Sequence, residues 1–169
     1  GDFKASLSFQ KIANIYNSTY QATPWLETTF RYTIFNPDNP IRNSIHIDGA
    51  NDRSYAAKIK LSNEGKYLPQ IALGIRDILG TGAWNGEYIV ASKKINQFDF
   101  SVGLGWGRLA ERDSFSNPFG LANNRFKERD SDGGIRGGEI RSSSFFTGKD
   151  AGLFGGFSYR LPKYNLTFL

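Results

Sequence analysis

The sequence predicts an all-β fold: an antiparallel up-and-down transmembrane β-barrel, of which this chain supplies about nine strands. The clearest strand lies at residues 98–107, where Phe98, Phe100, Val102, Leu104 and Trp106 alternate with small or polar residues. No segment repeats apolar residues at helical spacing. The connections between predicted strands also alternate between short and long, as in barrels with short periplasmic turns and longer extracellular loops.

Four strands are predicted before residue 63, each from an alternation of apolar with polar side chains. Their ranges are 3–10, 15–22, 26–34 and 55–62. The third is strong, because Leu26, Phe30 and Ile34 share one phase, whereas the second is weak. Pro24-Trp25 turns the chain between them, and breakers at 36–40 and 48–52 interrupt the long connection that follows.

Five further strands are predicted after residue 70. Their ranges are 71–76, 87–95, 98–107, 151–161 and 164–168. We predict short connections at 63–66, 96–97 and 162–163, and a longer glycine-rich loop at 80–86. The connection between the first two strands is short and fits the alternation least well. On this interpretation Gly1 lies at the periplasmic end.

The segment 108–150 is the longest connection between predicted strands. Its basic and acidic residues are interleaved and nearly balanced, and it carries the apolar residues Phe115, Phe119, Phe126 and Phe145. Loops of this length are usually functional or disordered. We therefore expect it to be an extracellular loop or to fold into the lumen.

The alternating strands leave two interpretations open. In a soluble barrel, such as a lipocalin-like fold, the apolar face would point into a core. In an outer-membrane barrel it would face lipid, and the polar face would line the lumen. Charged residues on that polar phase are then candidate lumen-lining groups. They are Glu27, Arg31, Lys58, Lys60 and Arg76.

The composition limits the possible chemistry. The net charge of +5 suits either an ordinary mixed surface or a basic lumen that attracts a polyanion, and the absence of a dense Lys/Arg run argues against nucleic acid. There is no Cys, and His46 is the single His. Residues 130–134 match only the start of a calcium loop, and no GxSxG motif is present. We expect no cofactor, no metal, no catalytic residue and no enzyme activity.

Several short motifs, in order along most of the chain, resemble one family: the YjbH-type exopolysaccharide and group 4 capsule outer-membrane proteins. The matching motifs are Pro24-Trp25-Leu26-Glu27, Phe30-Arg31-Tyr32-Thr33, Asp52-Arg53-Ser54, Tyr67-Leu68-Pro69, Ala72-Leu73-Gly74-Ile75-Arg76-Asp77, Gly80-Thr81-Gly82, Glu87-Tyr88-Ile89-Val90-Ala91-Ser92-Lys93, Leu104-Gly105-Trp106-Gly107-Arg108-Leu109, Ser116-Asn117-Pro118-Phe119 and Leu153-Phe154-Gly155-Gly156.

The resemblance implies a barrel in the Gram-negative outer membrane, often described as a lipoprotein and encoded with polysaccharide export genes. It implies no catalytic residues. Members are several times longer and this chain resembles their N-terminal part, so we expect residues 1–169 to be the N-terminal part of an outer-membrane β-barrel. The expected function is passive polysaccharide conduction; the alternative is a non-conducting structural or assembly partner in an envelope complex.

The expected partners are membrane lipid, polysaccharide and other envelope secretion proteins. Trp84 and Trp106, at predicted strand ends, are candidates for stacking on sugar rings or for the interfacial aromatic girdle.

Overall fold

The computed structural model describes residues 1–11, 13–36, 51–80, 82, 84–111, 114–129, 140, 142–164 and 166–168. These residues form one ten-stranded antiparallel sheet with a few short helical turns. The strands are β1 (Phe3–Phe9), β2 (Ala13–Thr23), β3 (Leu26–Phe35), β4 (Asn51–Ser62), β5 (Gln70–Ile78), β6 (Gly86–Ile95), β7 (Phe98–Gly105), β8 (Ser114–Ser116), β9 (Asp150–Leu161) and β10 (Leu166–Phe168). The helix α1 spans Pro118–Ala122, and 3-10 turns span Gly107–Ala110, Asn124–Phe126, Ser142–Ser144 and Pro162–Tyr164.

The strands pair in an up-and-down order. Each of β1 to β7 pairs with its neighbour in sequence, β7 then pairs with β9, and β9 pairs with β10. This path confirms the predicted all-β, antiparallel, up-and-down fold. The short strand β8 was not predicted. Gly152 of β9 pairs with Gly105 of β7 on one side and with Ser114 of β8 on the other, so β8 lies along the edge of β9 opposite β7.

The sheet is open. Over the described part of the chain, β1 and β10 end the pairing order and do not pair with each other. The predicted barrel is therefore not closed by these strands, and the hydrogen-bonding groups along the outer edge of β1 remain without a neighbouring strand.

The connections only partly follow the predicted alternation. We call the end of the sheet with connections 24–25, 63–69, 96–97 and 162–165 the short-turn end, and the other the long-loop end. Residues 24–25 and 96–97 are tight turns, and Asn96 adopts a positive φ of 56°, which Asn tolerates well. The prediction was wrong for two connections, however, since 63–69 and 79–85 have the same length.

The alternation of side chains divides the sheet into two faces. The apolar face carries Phe3, Leu7, Phe30, Phe98 and Leu153, each of which is exposed or half-exposed to its surroundings. Few apolar residues are fully buried, and those described are Ala13, Phe35, Ala72, Trp106 and Ala151. The sheet thus lacks the broad apolar core expected of the soluble-barrel alternative.

Among the described residues, no helix is both long and apolar enough to cross a membrane.

Candidate functional site

The strand register places the five charged candidates on one face of the sheet. Glu27 lies opposite Lys58, and Lys58 lies opposite Gly74. Because every second residue of a strand shares a face, Arg31, Lys60 and Arg76 lie on the same side. We call this the polar face. Whether these residues line a lumen or contact a polymer stays a prediction.

Arg31 is held in place by its neighbours on the polar face. Its Nε donates to Oδ1 of Asn17 at 3.0 Å, and Nδ2 of Asn17 donates to the Ser6 hydroxyl at 3.2 Å. The hydroxyls of Thr19 and Thr29 share a further hydrogen bond of 2.9 Å. This network crosses β1, β2 and β3, so the guanidinium is a fixed cation rather than a freely moving one.

Arg31, Arg76 and Trp84 meet at a small cavity of about 20 Å³ near the long-loop end. The backbone N–H of Trp84 donates to Oδ2 of Asp77 at 2.9 Å. Oδ1 of Asp77 and the indole Nε1 of Trp84 are buried without a hydrogen-bond partner. A cavity of this size has room for about one water molecule. The space is too small for a sugar ring.

Trp106 is part of a buried aromatic cluster. It is 0% exposed, its ring stacks on Phe119 with centroids 5.1 Å apart, and Phe146 meets it edge-on at 5.2 Å. The ring therefore has no free side for a sugar, and it does not sit at an exposed interfacial girdle. Both predictions for Trp106 are wrong because the segment after it folds back over the indole.

Asn117 connects this cluster by its side-chain amide. Its Oδ1 accepts from Trp106 Nε1 at 2.9 Å and from the Phe119 N–H at 3.1 Å. Its Nδ2 lies 3.0 Å from the carbonyl oxygens of Phe126, Phe146 and Gly148. One buried side chain thus fixes four separate parts of the segment that follows β7.

A buried ion pair attaches the same segment to the sheet. Arg129 donates from two guanidinium nitrogens to the carboxylate of Glu87, at 2.7 and 3.0 Å. The Phe146 N–H donates to the same carboxylate at 2.9 Å. Glu87 is 1% exposed, so its charge depends on these partners. We call the described residues of 107–149 the cap.

The cap also covers part of the polar face. A side-chain atom added at Gly86 would lie 3.3 Å from Leu109, and one added at Gly152 would meet the backbone of Leu109. Gly107, with a φ of +62°, lets the chain reverse at this point. The glycines at the long-loop end of β6, β7 and β9 therefore make room for Leu109.

A larger cavity lies at the short-turn end of the polar face, with a volume of about 560 Å³. Its floor is a transverse row of residues in direct register across four strands. The row consists of Gln70, Ser92, Ser101 and Gly156. Ser92 and Ser101 share a hydrogen bond of 2.7 Å, and nothing lies within 4 Å of a side chain added at Gly156.

Phe154 stands on the polar face beside this row. It is 39% exposed, pairs with Gly103 and meets the Tyr88 ring edge-on at 6.1 Å. A side chain at Gly103 would collide with the Phe154 ring. The sequence analysis did not single out Phe154. The sequence pattern that could have identified it is an aromatic residue among the small and polar residues that alternate with the apolar ones in β9.

Within the described ranges, no group of three or more His, Cys, Asp or Glu side chains could hold a metal ion. His46 and residues 130–134, which were considered for metal binding, lie outside those ranges.

Comparison with known proteins identifies the family. The family model described as exopolysaccharide biosynthesis protein YbjH matches residues 1–169. The chain is 39% identical over 153 residues to a protein of Escherichia coli (strain K12) named uncharacterized lipoprotein YjbH, covering 87% of this chain and 21% of that protein. The chain thus spans about a fifth of the length of that relative. No solved structure matches. On the family match over its whole length, the chain belongs to the YjbH exopolysaccharide biosynthesis family.

Proposed function

We propose that this chain forms part of a β-barrel in the Gram-negative outer membrane and takes part in exopolysaccharide or capsule secretion as a passive conduit. The observation that carries the proposal is the apolar face, which is exposed along the sheet. Its exposed side chains include Phe3 (66%), Phe9 (70%), Leu61 (59%), Phe157 (60%) and Phe168 (55%). Water-soluble proteins rarely expose apolar patches of this extent, whereas lipid stabilises them.

The open edges support the same placement. In lipid, backbone N–H and C=O groups without partners cost several kcal/mol each, so a membrane sheet closes on itself. Further strands are required between the edges of β1 and β10. The E. coli relative is about five times as long as the matched region, which leaves ample sequence for them.

The polar face supports a role in polysaccharide passage. It offers fixed charges and hydroxyl groups, including Arg31, Lys58 and Ser101, which can form weak and exchangeable hydrogen bonds with a sugar polymer. Weak contacts at many positions allow a polymer to enter and to leave. The family description adds the connection to exopolysaccharide.

The alternative is a structural or assembly partner that conducts nothing. One observation favours it: the cap covers the polar face at the long-loop end of three strands through Leu109. A cap fixed by a buried ion pair would obstruct a polymer there. We propose no enzyme activity in either case. The relative's name as a lipoprotein suggests lipid anchoring of the whole protein, although this chain contains no Cys.

The membrane proposal is tested on the protein expressed from its native gene. We expect it to partition with outer membranes, to require detergent for extraction, and to run faster on a gel before heating than after. Extraction by carbonate without detergent would contradict the proposal.

The conduit proposal is tested by release of fluorescent dextran from proteoliposomes. We expect release, and we expect Gly156→Tyr to slow it, because the new side chain enters the open cavity without a clash. Leu153→Tyr, on the apolar face of the same strand, is the matched control and should conduct normally. An intact barrel that retains dextran would contradict conduction and favour the structural role.

A further inference from the structure

The cavity at the short-turn end differs from the rest of the polar face in its charge. Its uncharged lining residues are Gln70, Ser92, Ser101, Gly156, Phe157 and Ser158. The charged lining groups are two carboxylates, Asp99 and Glu64. The four basic candidates of the polar face, which are Arg31, Lys58, Lys60 and Arg76, do not line this cavity.

The two carboxylates do not have the same surroundings. Glu64 is neutralised from outside the cavity, because Lys93 Nζ lies 3.2 Å from its Oε1 and the Lys94 N–H donates to the same oxygen at 3.0 Å. Asp99 lies opposite Lys94 on one side and Ser158 on the other. Lys94 lies directly opposite Asp99 but is not among the described lining residues, which present hydrogen-bonding groups and carboxylates and include no cation.

Phe154 adds an apolar surface next to these groups. It lies two residues from Gly156 on the same face of β9, which corresponds to about 7 Å. The Phe154 ring packs over the bare backbone of Gly103 and against Tyr88, and part of it remains exposed. The ring is thus held in position beside the polar row rather than free to move.

An apolar platform beside hydroxyl, amide and carboxylate groups matches the chemistry of a sugar ring, which has an apolar C–H face and a hydroxyl rim. Aromatic faces bind such apolar surfaces, and side-chain oxygens and amides satisfy the rim. A volume of about 560 Å³ lies within the range of small-ligand sites, and the distance from Phe154 to Gly156 suits two linked sugar units.

We infer that Phe154 and the row Gln70, Ser92, Ser101 and Gly156, with Asp99, form a binding subsite for neutral or N-acetylated sugar units of a polysaccharide. This inference rests on the proposed function and makes it more specific. It assigns stacking to Phe154 and hydrogen bonding to the row. The basic residues elsewhere on the polar face take no part in this subsite.

The test uses the protein purified in detergent from its native gene and an array of neutral, N-acetylated and uronic-acid oligosaccharides. We expect binding to neutral or N-acetylated members. Phe154→Leu should weaken it by about five- to tenfold through loss of the aromatic face. Gly156→Leu should weaken it by placing a branched side chain on the floor of the cavity. Phe30→Leu, the same change at a 37% exposed position on the apolar face of β3 and outside the cavity lining, should leave it unchanged.

Other outcomes contradict the subsite and can be told apart from failure of the proposed function. Binding restricted to uronic-acid members, or equal losses in Phe154→Leu and Phe30→Leu, would overturn the subsite while leaving a polysaccharide-binding barrel. Binding that is lost in Arg31→Ala and Arg76→Ala but kept in Phe154→Leu would move recognition to the basic residues. If no member of the array binds but dextran is still released, the subsite alone is overturned. If no member binds and no dextran is released, both proposals are overturned.

Discussion

At the scale of single residues, the glycines of the polar face have different surroundings although they look alike in the sequence. An atom added at Gly103 would lie 2.7 Å from the Ile89 carbonyl oxygen, which belongs to the backbone and cannot move away cheaply. Gly156 has open space instead. On the glycine-rich face of β7 and β9, close packing therefore requires a glycine at Gly103, whereas Gly156 borders an open cavity.

This difference predicts opposite effects on stability. Gly103→Ala should destabilise the protein by about 1–3 kcal/mol through overpacking. Gly156→Ala should be neutral or stabilise it by about 0.5–1 kcal/mol, since Ala is less flexible than Gly when unfolded. The measurement is the urea midpoint of unfolding in detergent, with each variant compared with the parent protein. Equal midpoints for the two variants would show that Gly103 is not closely packed.

Glu64 provides a prediction about pH. The Lys94 N–H and then the Lys93 ammonium hold the pKa of this exposed carboxyl below its ordinary value of 4.5. A carboxyl with a lowered pKa in the folded protein stabilises it above the ordinary pKa, and this contribution is lost as the pH falls through the lowered pKa.

Glu64→Gln should therefore unfold more readily than the parent at pH 7, and the difference should shrink as the pH falls below the ordinary pKa of 4.5 and through the lowered one. Unfolding midpoints measured across this range check the prediction. A difference that does not change with pH would mean that the side chain acts through its shape and not its charge.

At the scale of elements, the cap behaves as a unit because its attachments are buried and few. Asn117 is suited to its position because one amide accepts from Trp106 and shares its two N–H hydrogens among three backbone carbonyl oxygens. A carboxylate could not donate. The pair of Glu87 and Arg129 then connects this unit to β6.

Arg129→Met should release the cap. Removing one partner of a buried pair leaves the other charge uncompensated, at a cost of about 3–5 kcal/mol. We expect limited proteolysis to cut within the cap while the sheet remains intact. The double variant Glu87→Gln with Arg129→Met removes both charges and should recover part of the loss. Proteolysis at an unchanged rate in the single variant would show that the aromatic cluster alone holds the cap.

At the scale of the whole molecule, the sequence predicted the pairing path better than the surroundings of individual residues. Alternation with period two is local, so nine of the strands and their order followed from it. It also placed Glu27, Lys58 and Arg76 on one face. The burial of Trp106 and the strand β8 depend instead on how the cap folds back, which no local pattern in a polar segment encodes. Phe154 was not singled out because its position depends on contacts with Gly103 and Tyr88, which lie on other strands.

The position of the cap between β7 and β9 has a consequence for the order of assembly. Strands β1 to β7 each pair with their neighbour in sequence, so they can join one after another as the chain emerges. The pairing of β9 with β7 must instead close the connection 106–149. By loop-closure entropy this costs roughly 3 kcal/mol more than closing a two-residue turn. The buried contacts of Glu87, Trp106 and Asn117 offset that cost, and we expect β9 to dock only once they have formed.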